Sequence, residues 1–190
     1  MAVSKGKRLI LLGVTLLIID QVIKLLVKSS MTPGEQISVF GDWFKLCFVE
    51  NEGMAFGLKF GGIIGKLLLS IFRIGLCGAL IWWIGNLLRR KAEDGRPAVP
   101  TGVLVGLTLI TAGAAGNIID SLFFGPFLFG KVVDMFYFPL FTWPDWVPLL
   151  GGHIFFEPVF NFADSCVTVG ALYIIIFQYK FFSTDNKKTT

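Results

Sequence analysis

Charge is scarce in this chain. Of its 190 residues, 17 are Lys or Arg and 13 are Asp or Glu, 16% together, against about a quarter in an average soluble protein. So few charges cannot coat a water-facing surface. With 54% hydrophobic and 15% aromatic residues, the composition excludes a disordered chain, a nucleic-acid module and almost any cytosolic enzyme. Histidine occurs once, as His153, and a lone His in an apolar loop is more often a surface residue than a base or ligand. Cysteine occurs three times, as Cys47, Cys77 and Cys166; the odd number and the lack of CxxC spacing indicate neither a disulfide framework nor a zinc site. HExxH and Gly-rich phosphate loops are missing as well, as are internal repeats. What remains in abundance is long apolar sequence, with a mean hydropathy of +0.73. The reading is a multi-span membrane protein forming one domain over residues 1–190.

A helix crossing the hydrocarbon core of about 30 Å needs about 20 mostly apolar residues. Four stretches meet that test: about 9–27, 67–88, 98–119 and 159–177. A secretory signal peptide is the rival reading of the first, since Lys5, Lys7 and Arg8 precede it. The apolar run continues through Asp20 and Lys24 without an A-x-A-like site, so an uncleaved span is expected. Orientation follows from the net charge of +4 and its placement. Lys5, Lys7 and Arg8, then Arg89, Arg90, Lys91 and Arg96, then Lys180, Lys187 and Lys188 put ten of the 17 positives on one side of the four spans. The positive-inside rule makes that side, with both termini, cytoplasmic. The segments at about 28–66 and 120–158 then face outward.

Neither outer segment reads as a solvated loop. The first holds β-branched and aromatic residues around Gly41-Asp42 and Asn51 to Gly53, the pattern of short strands joined by turns. The second is as apolar as a span, but Gly125, Pro126, Gly130, Pro139, Pro144, Pro148 and Gly151-Gly152 interrupt it, so it cannot be one helix. Irregular backbone facing lipid tails is too costly. An interfacial position suits it, with Tyr137, Trp143 and Trp146 among the headgroups. The expected fold class is an all-α membrane protein with four transmembrane helices, a small β-rich outward segment and an interfacial aromatic loop.

Ionisable groups at membrane depth cost at least about 2.5 to 3.5 kcal/mol on insertion scales and are functional candidates for that reason. Asp20 and Lys24 lie four apart on one helix face, either as a self-neutralising pair or as part of a site. Asn117 and Asp120 follow the small residues of TAGAAGNIID, which suits a packing seam with a polar end as well as a site. Asn161 and Asp164 repeat the spacing at the start of the fourth span, where an ordinary helix cap competes with function. Asp134, in KVVDMF, has no such local explanation. Two of Asp120, Asp134 and Asp164 brought together would share a proton, because adjacent carboxylates cannot both ionise. That arrangement performs aspartic proteolysis. Cys166 has no basic partner in sequence, so thiol chemistry is not indicated. A transporter would distribute charge along a whole pathway, and a purely structural membrane protein would tolerate Asp134→Asn.

Four blocks carry a likeness to a known family: DQVIK in the first span, ENEGMAFG in the first outer segment, AGAAGNIID leading to GKVVDMF, and FNFADSCVTVG in the fourth span. In this order the sequence resembles lipoprotein signal peptidase, the type II signal peptidase of bacteria, along nearly its whole length. The resemblance implies that Asp134 and Asp164 are the catalytic pair. It implies supporting or substrate-contacting roles for Asp20, Lys24, Asn51, Gly53, Asn117, Asp120, Gly130 and Asn161. It also implies a metal-free, cofactor-free site in the inner membrane. There the signal peptide is cut from diacylglyceryl-modified prolipoproteins just before the lipid-modified cysteine, and globomycin-like cyclic peptides inhibit. Such a substrate is membrane-embedded, so the carboxylates must lie near the interface. Asp164, five or six residues into the fourth span, is expected about 8 Å below its outer end.

Two departures stand out. Ser121 occupies a position where the family commonly has Arg, and the stretch from Asp134 to Asp164 is longer than is common. Arg73, the one charge in the second span, sits at about 9 Å depth against about 10 Å for Asp20. It is expected either to pair with Asp20 or Asp120, partly supplying the charge absent at Ser121, or to snorkel to the headgroups.

Overall fold

The computed structural model describes residues 4–52, 62–91 and 98–185. Gly53, Arg96, Lys187 and Lys188 lie outside them. Helix α1 covers Lys5–Ser30, strands β1 and β2 cover Gln36–Phe40 and Phe44–Asn51, and α2 covers Gly62–Arg89. Helix α3 covers Thr101–Phe123, followed by β3 (Val132–Tyr137), β4 (Phe141–Thr142), β5 (Ile154–Phe155), α4 (Phe162–Phe177) and α5 (Tyr179–Asp185).

Among the described residues three helices, α1, α2 and α3, are long and apolar enough to cross a membrane. The fourth corrects the sequence reading. It has 16 residues rather than the expected run from 159, a length of about 24 Å at 1.5 Å per residue. Its start is fixed by Asn161, whose side chain accepts from the Asp164 backbone N–H while the Asp164 carboxylate accepts from the Asn161 N–H, a complete capping box. Pro100 likewise sets the start of α3 at Thr101, because a proline suits the edge of a helix and restricts the residue before it. Ser4 caps α1, accepting from the Lys7 N–H at 3.4 Å.

Helix α3 packs against α1, α2 and α4. Its approach to α4 is closest, and small residues permit it. A Cβ on Gly113 would collide with the Ala163 carbonyl oxygen, and one on Gly170 would lie 2.7 Å from the Gly106 carbonyl. At one end of the bundle Leu9, Leu87, Val99, Val103, Leu104 and Leu107 form a buried cluster that also holds Phe181 and Phe182. At the other, Val27 of α1 and Met31 just after it pack on Phe48, Val133 and Met135 of the sheet.

The expected β-rich outer segment is present, and it recruits a strand from the second outer segment. β1, β2 and β3 form an antiparallel sheet with β2 central, in which Val49 opposes Asp134. Lys28 at the end of α1 pins the sheet through Glu50 at 2.9 Å. β4 and β5 form a separate two-stranded ribbon with Phe141 stacked on Phe155 at 4.8 Å. The turn between them leaves Trp146 81% and Leu149 96% exposed.

Candidate active site

The sheet and the bundle meet around Asn161. Its Nδ2 donates to Asp134 Oδ1 at 2.6 Å and to Asn117 Oδ1 at 3.1 Å, and its backbone N–H donates to Asp164 Oδ2 at 3.3 Å. One cap residue therefore touches both carboxylates. Asn117 closes the circuit by donating to Asp164 Oδ1 at 2.8 Å, and Asn51 on β2 donates to Asp134 Oδ2 at 3.0 Å. Capping and site-building, alternatives in the sequence, are one set of bonds. Because α4 begins at Phe162, Asp164 is its third residue. It thus lies about 4 to 5 Å from the start of α4 at 1.5 Å per residue, closer than the expected distance of about 8 Å.

Asp120 is not one of this pair. It and Asp20 share Lys24, whose ammonium lies 2.7 Å from Asp120 and 2.9 Å from Asp20. All three are fully or almost fully buried. The Lys24 ammonium also donates to Asn117 Oδ1 at 3.0 Å, which leaves that amide's N–H₂ for Asp164. Asp20 Oδ1 accepts from the Ala163 N–H at 2.9 Å, beside Asp164. Asp120 Oδ2 accepts from the Val133 N–H at 3.3 Å, beside Asp134. The buried triad thus supports the backbone next to each member of the pair. Gly130 permits this packing, since its N–H donates to the Ser121 carbonyl at 2.9 Å and any Cβ there would collide with the Asp120 carbonyl oxygen.

Asp134 and Asp164 line one cavity of about 540 Å³, with Arg73, Asn51, Asn117, Phe156, Phe160 and Thr168 among its walls. Burial pushes the Asp134 carboxyl up to about 7, and the neighbouring Asp164 charge adds to the effect. Ser121 contributes nothing to this space, because its hydroxyl donates back to the Asn117 carbonyl at 3.0 Å inside α3. Arg73 departs from expectation. Among the described residues the ion-pair partner of Asp20 and Asp120 is Lys24, and Arg73 instead lines the cavity.

The sequence reading missed two residues. Gln21 donates to Asp20 Oδ2 and Asp120 Oδ1, both at 3.0 Å, and to the Gly116 carbonyl at 3.2 Å. It lies inside DQVIK, but its neutral amide gives no burial cost to draw attention. Phe156 lines the cavity with φ at 64°, a backbone state unfavourable for a bulky residue and recurrent at functional sites. Nothing in a sequence marks such a φ.

The architecture is that of bacterial membrane enzymes. Two solved structures so described superimpose with a TM-score of 0.64 each. The one at 2.3 Å resolution is 26% identical over 93% of this chain and 90% of its own. The one at 1.9 Å is 29% identical over 89% and 90%. The chain belongs to the signal peptidase (SPase) II family, whose sequence profile matches residues 12–180. Among its relatives, the lipoprotein signal peptidase of Porphyromonas gingivalis is 41% identical over 97% of this chain and 89% of its own length. That of Amoebophilus asiaticus is 39% identical over 86% and 75%.

Proposed function

We propose that this chain is an aspartic endopeptidase that removes the signal peptide from diacylglyceryl-modified prolipoproteins, cutting just before the lipid-modified cysteine. Membership of the signal peptidase II family supplies the reaction class. The observation that carries the catalytic assignment is that Asp134 and Asp164, from a strand and a helix, face one cavity and are tied together by Asn161. Asp164 takes a proton from a water molecule as the water oxygen bonds to the scissile carbonyl carbon. Asp134, protonated, hydrogen-bonds the carbonyl oxygen. On collapse the C–N bond breaks and a proton passes to the leaving amine. Burial and the Asp164 charge push the Asp134 carboxyl up to about 7, which suits it to the protonated role. The step requires neither metal nor cofactor.

In this reading four helices cross the cytoplasmic membrane with both termini inside, and the pair opens toward the outer face. Apolar side chains around the bundle contact membrane lipids. Globomycin-like cyclic peptides would occupy the same cavity. The test is direct: purified protein in detergent is incubated with a diacylglyceryl-modified prolipoprotein, and signal-peptide release is followed. Wild type should cleave, while Asp134→Asn and Asp164→Asn should fold and not cleave, the double variant being no worse than either single one. Near-wild-type turnover by either single variant would overturn the assignment.

A further inference from the structure

Arg73 stands between two residues that show which way its helix face points. Ser70, three residues earlier, is buried and its Oγ donates to the Leu128 carbonyl at 2.9 Å. Cys77, four residues later, is buried with its Sγ 3.9 Å from the Thr111 carbonyl. Positions at these spacings share one side of a helix, so Arg73 is on the side of α2 that meets α3 rather than the side that would meet lipid. It is half-buried and lines the cavity with Asp134 and Asp164. Among the described residues, however, no carboxylate lies within ion-pair distance of it: Lys24 holds Asp20 and Asp120, while amides bond Asp164 and Asp134.

A guanidinium has five donors and no acceptor, and at membrane depth donors without partners are costly. The cavity's occupant under the proposed function, on which this inference rests, is a peptide joined to a diacylglyceryl group. Its polar atoms near the scissile bond are neutral carbonyl groups, which a guanidinium fork can hold without competing with the carboxylate pair. We infer that Arg73 is a substrate-positioning residue, donating to carbonyl oxygens of the lipopeptide. Two carbonyl sources are available, the peptide backbone beside the cut and the esters of the lipid.

The experiment compares Arg73→Gln with wild type on a diacylglyceryl lipopeptide and on its dialkyl-ether analogue, which lacks the ester carbonyls. The variant should raise KM for the ester substrate about tenfold, the size of one lost charge-assisted hydrogen bond, with the pH profile unmoved. If the peptide carbonyls are the acceptors, the same rise appears with the ether analogue. If the esters are, the analogue binds wild type weakly and the variant no worse. An unchanged KM on the ester substrate would overturn the inference. So would a loss confined to kcat with a displaced pH profile, because the charge would then act on the carboxylates. Should Arg73→Gln fail to fold, Arg73→Lys keeps the charge but loses the fork, and an unraised KM there would count equally against it. Asp134→Asn runs in parallel. Cleavage by that variant would remove the aspartic reading itself, whereas an inactive Asp134→Asn beside a normal Arg73→Gln would remove this inference alone.

Discussion

Asp120 and Asp134 are 0% and 3% exposed, and their partners give them opposite uses. Asp120 meets the Lys24 ammonium at 2.7 Å. Asp134 meets amides from Asn51 and Asn161, which favour its charged form, but burial first and the Asp164 charge second outweigh them, so its carboxyl rises from 3.8 to about 7. A folded-state pKa above the unfolded one means that the native protein binds the proton more tightly. This contribution to stability is fully present below pH 4 and is lost as pH rises toward 7. At about 1.4 kcal/mol per unit the difference is on the order of 4 kcal/mol. Unfolding midpoints of detergent-solubilised protein should therefore fall across that window, and Asp134→Asn should flatten the dependence; an unaltered slope in the variant would contradict the assignment. Activity should decline on the alkaline side as the same proton is lost. Lys24 gives a second residue-scale prediction. Lys24→Met leaves two buried carboxylates facing each other and should cost about 3 to 5 kcal/mol. Adding Asp120→Asn should restore part of that loss, because the two positions interact directly. Thermal unfolding of the single and double variants measures it, and strict additivity would argue against the triad.

Between elements, the separation of α3 and α4 sets the geometry of the proposed active site, since Asn117 on one and Asp164 on the other are joined by a 2.8 Å bond. Gly113→Val would press a side chain into the Ala163 carbonyl, one residue before Asp164. It should reduce cleavage at least tenfold, more than its effect on folded yield implies, since small displacements at a catalytic geometry are expensive. Gly78→Ala is the control: nothing lies within 4 Å of its added Cβ, and helix propensity favours it by up to about 1 kcal/mol. Equal activities for the two variants would show that the seam does not govern the site. The sequence revealed α1 to α3 readily because long apolar runs are a local property. It also revealed the β1–β2 turn and the paired polar residues, because polar groups in apolar runs are conspicuous. It did not reveal that β3 pairs with β2, placing Val49 opposite Asp134 across 85 residues of chain. No local pattern encodes such a contact. The start of α4 was misplaced because Val159 and Phe160 are as apolar as the helix itself, and the Asn161 cap, not hydropathy, decides it. Neither alternative for Arg73, pairing with Asp20 or Asp120 or snorkelling, includes its place in the cavity wall, because depth in a span says nothing about which helix face a residue occupies.

For the whole molecule, one cluster at one end of the bundle brings together Leu9 near the start of α1, Leu87 near the end of α2, Val103 near the start of α3 and Phe181 in α5. The helices therefore alternate in direction, and the carboxylate pair and the three-stranded sheet lie at the opposite end. Lys5, Lys7, Arg8, Arg89, Arg90, Lys91 and Lys180 all flank the end without the sheet. Under the proposed function the positive-inside rule would make that end cytoplasmic and open the site to the outer face. Reporters fused after Lys28 and after Pro158 should thus read as external, and one inserted after Lys91 as internal. The decisive position is the C-terminal end. With 16 residues, α4 reaches about 24 Å, short of a hydrocarbon core of about 30 Å. It crosses only if the bilayer thins locally or if α5 continues the passage, and Lys180 supplies a charge that favours the cytoplasmic side. A reporter at the C-terminus should read as internal, giving four crossings; an external reading there, with the other three fusions as expected, would show that α4 enters the membrane without crossing it.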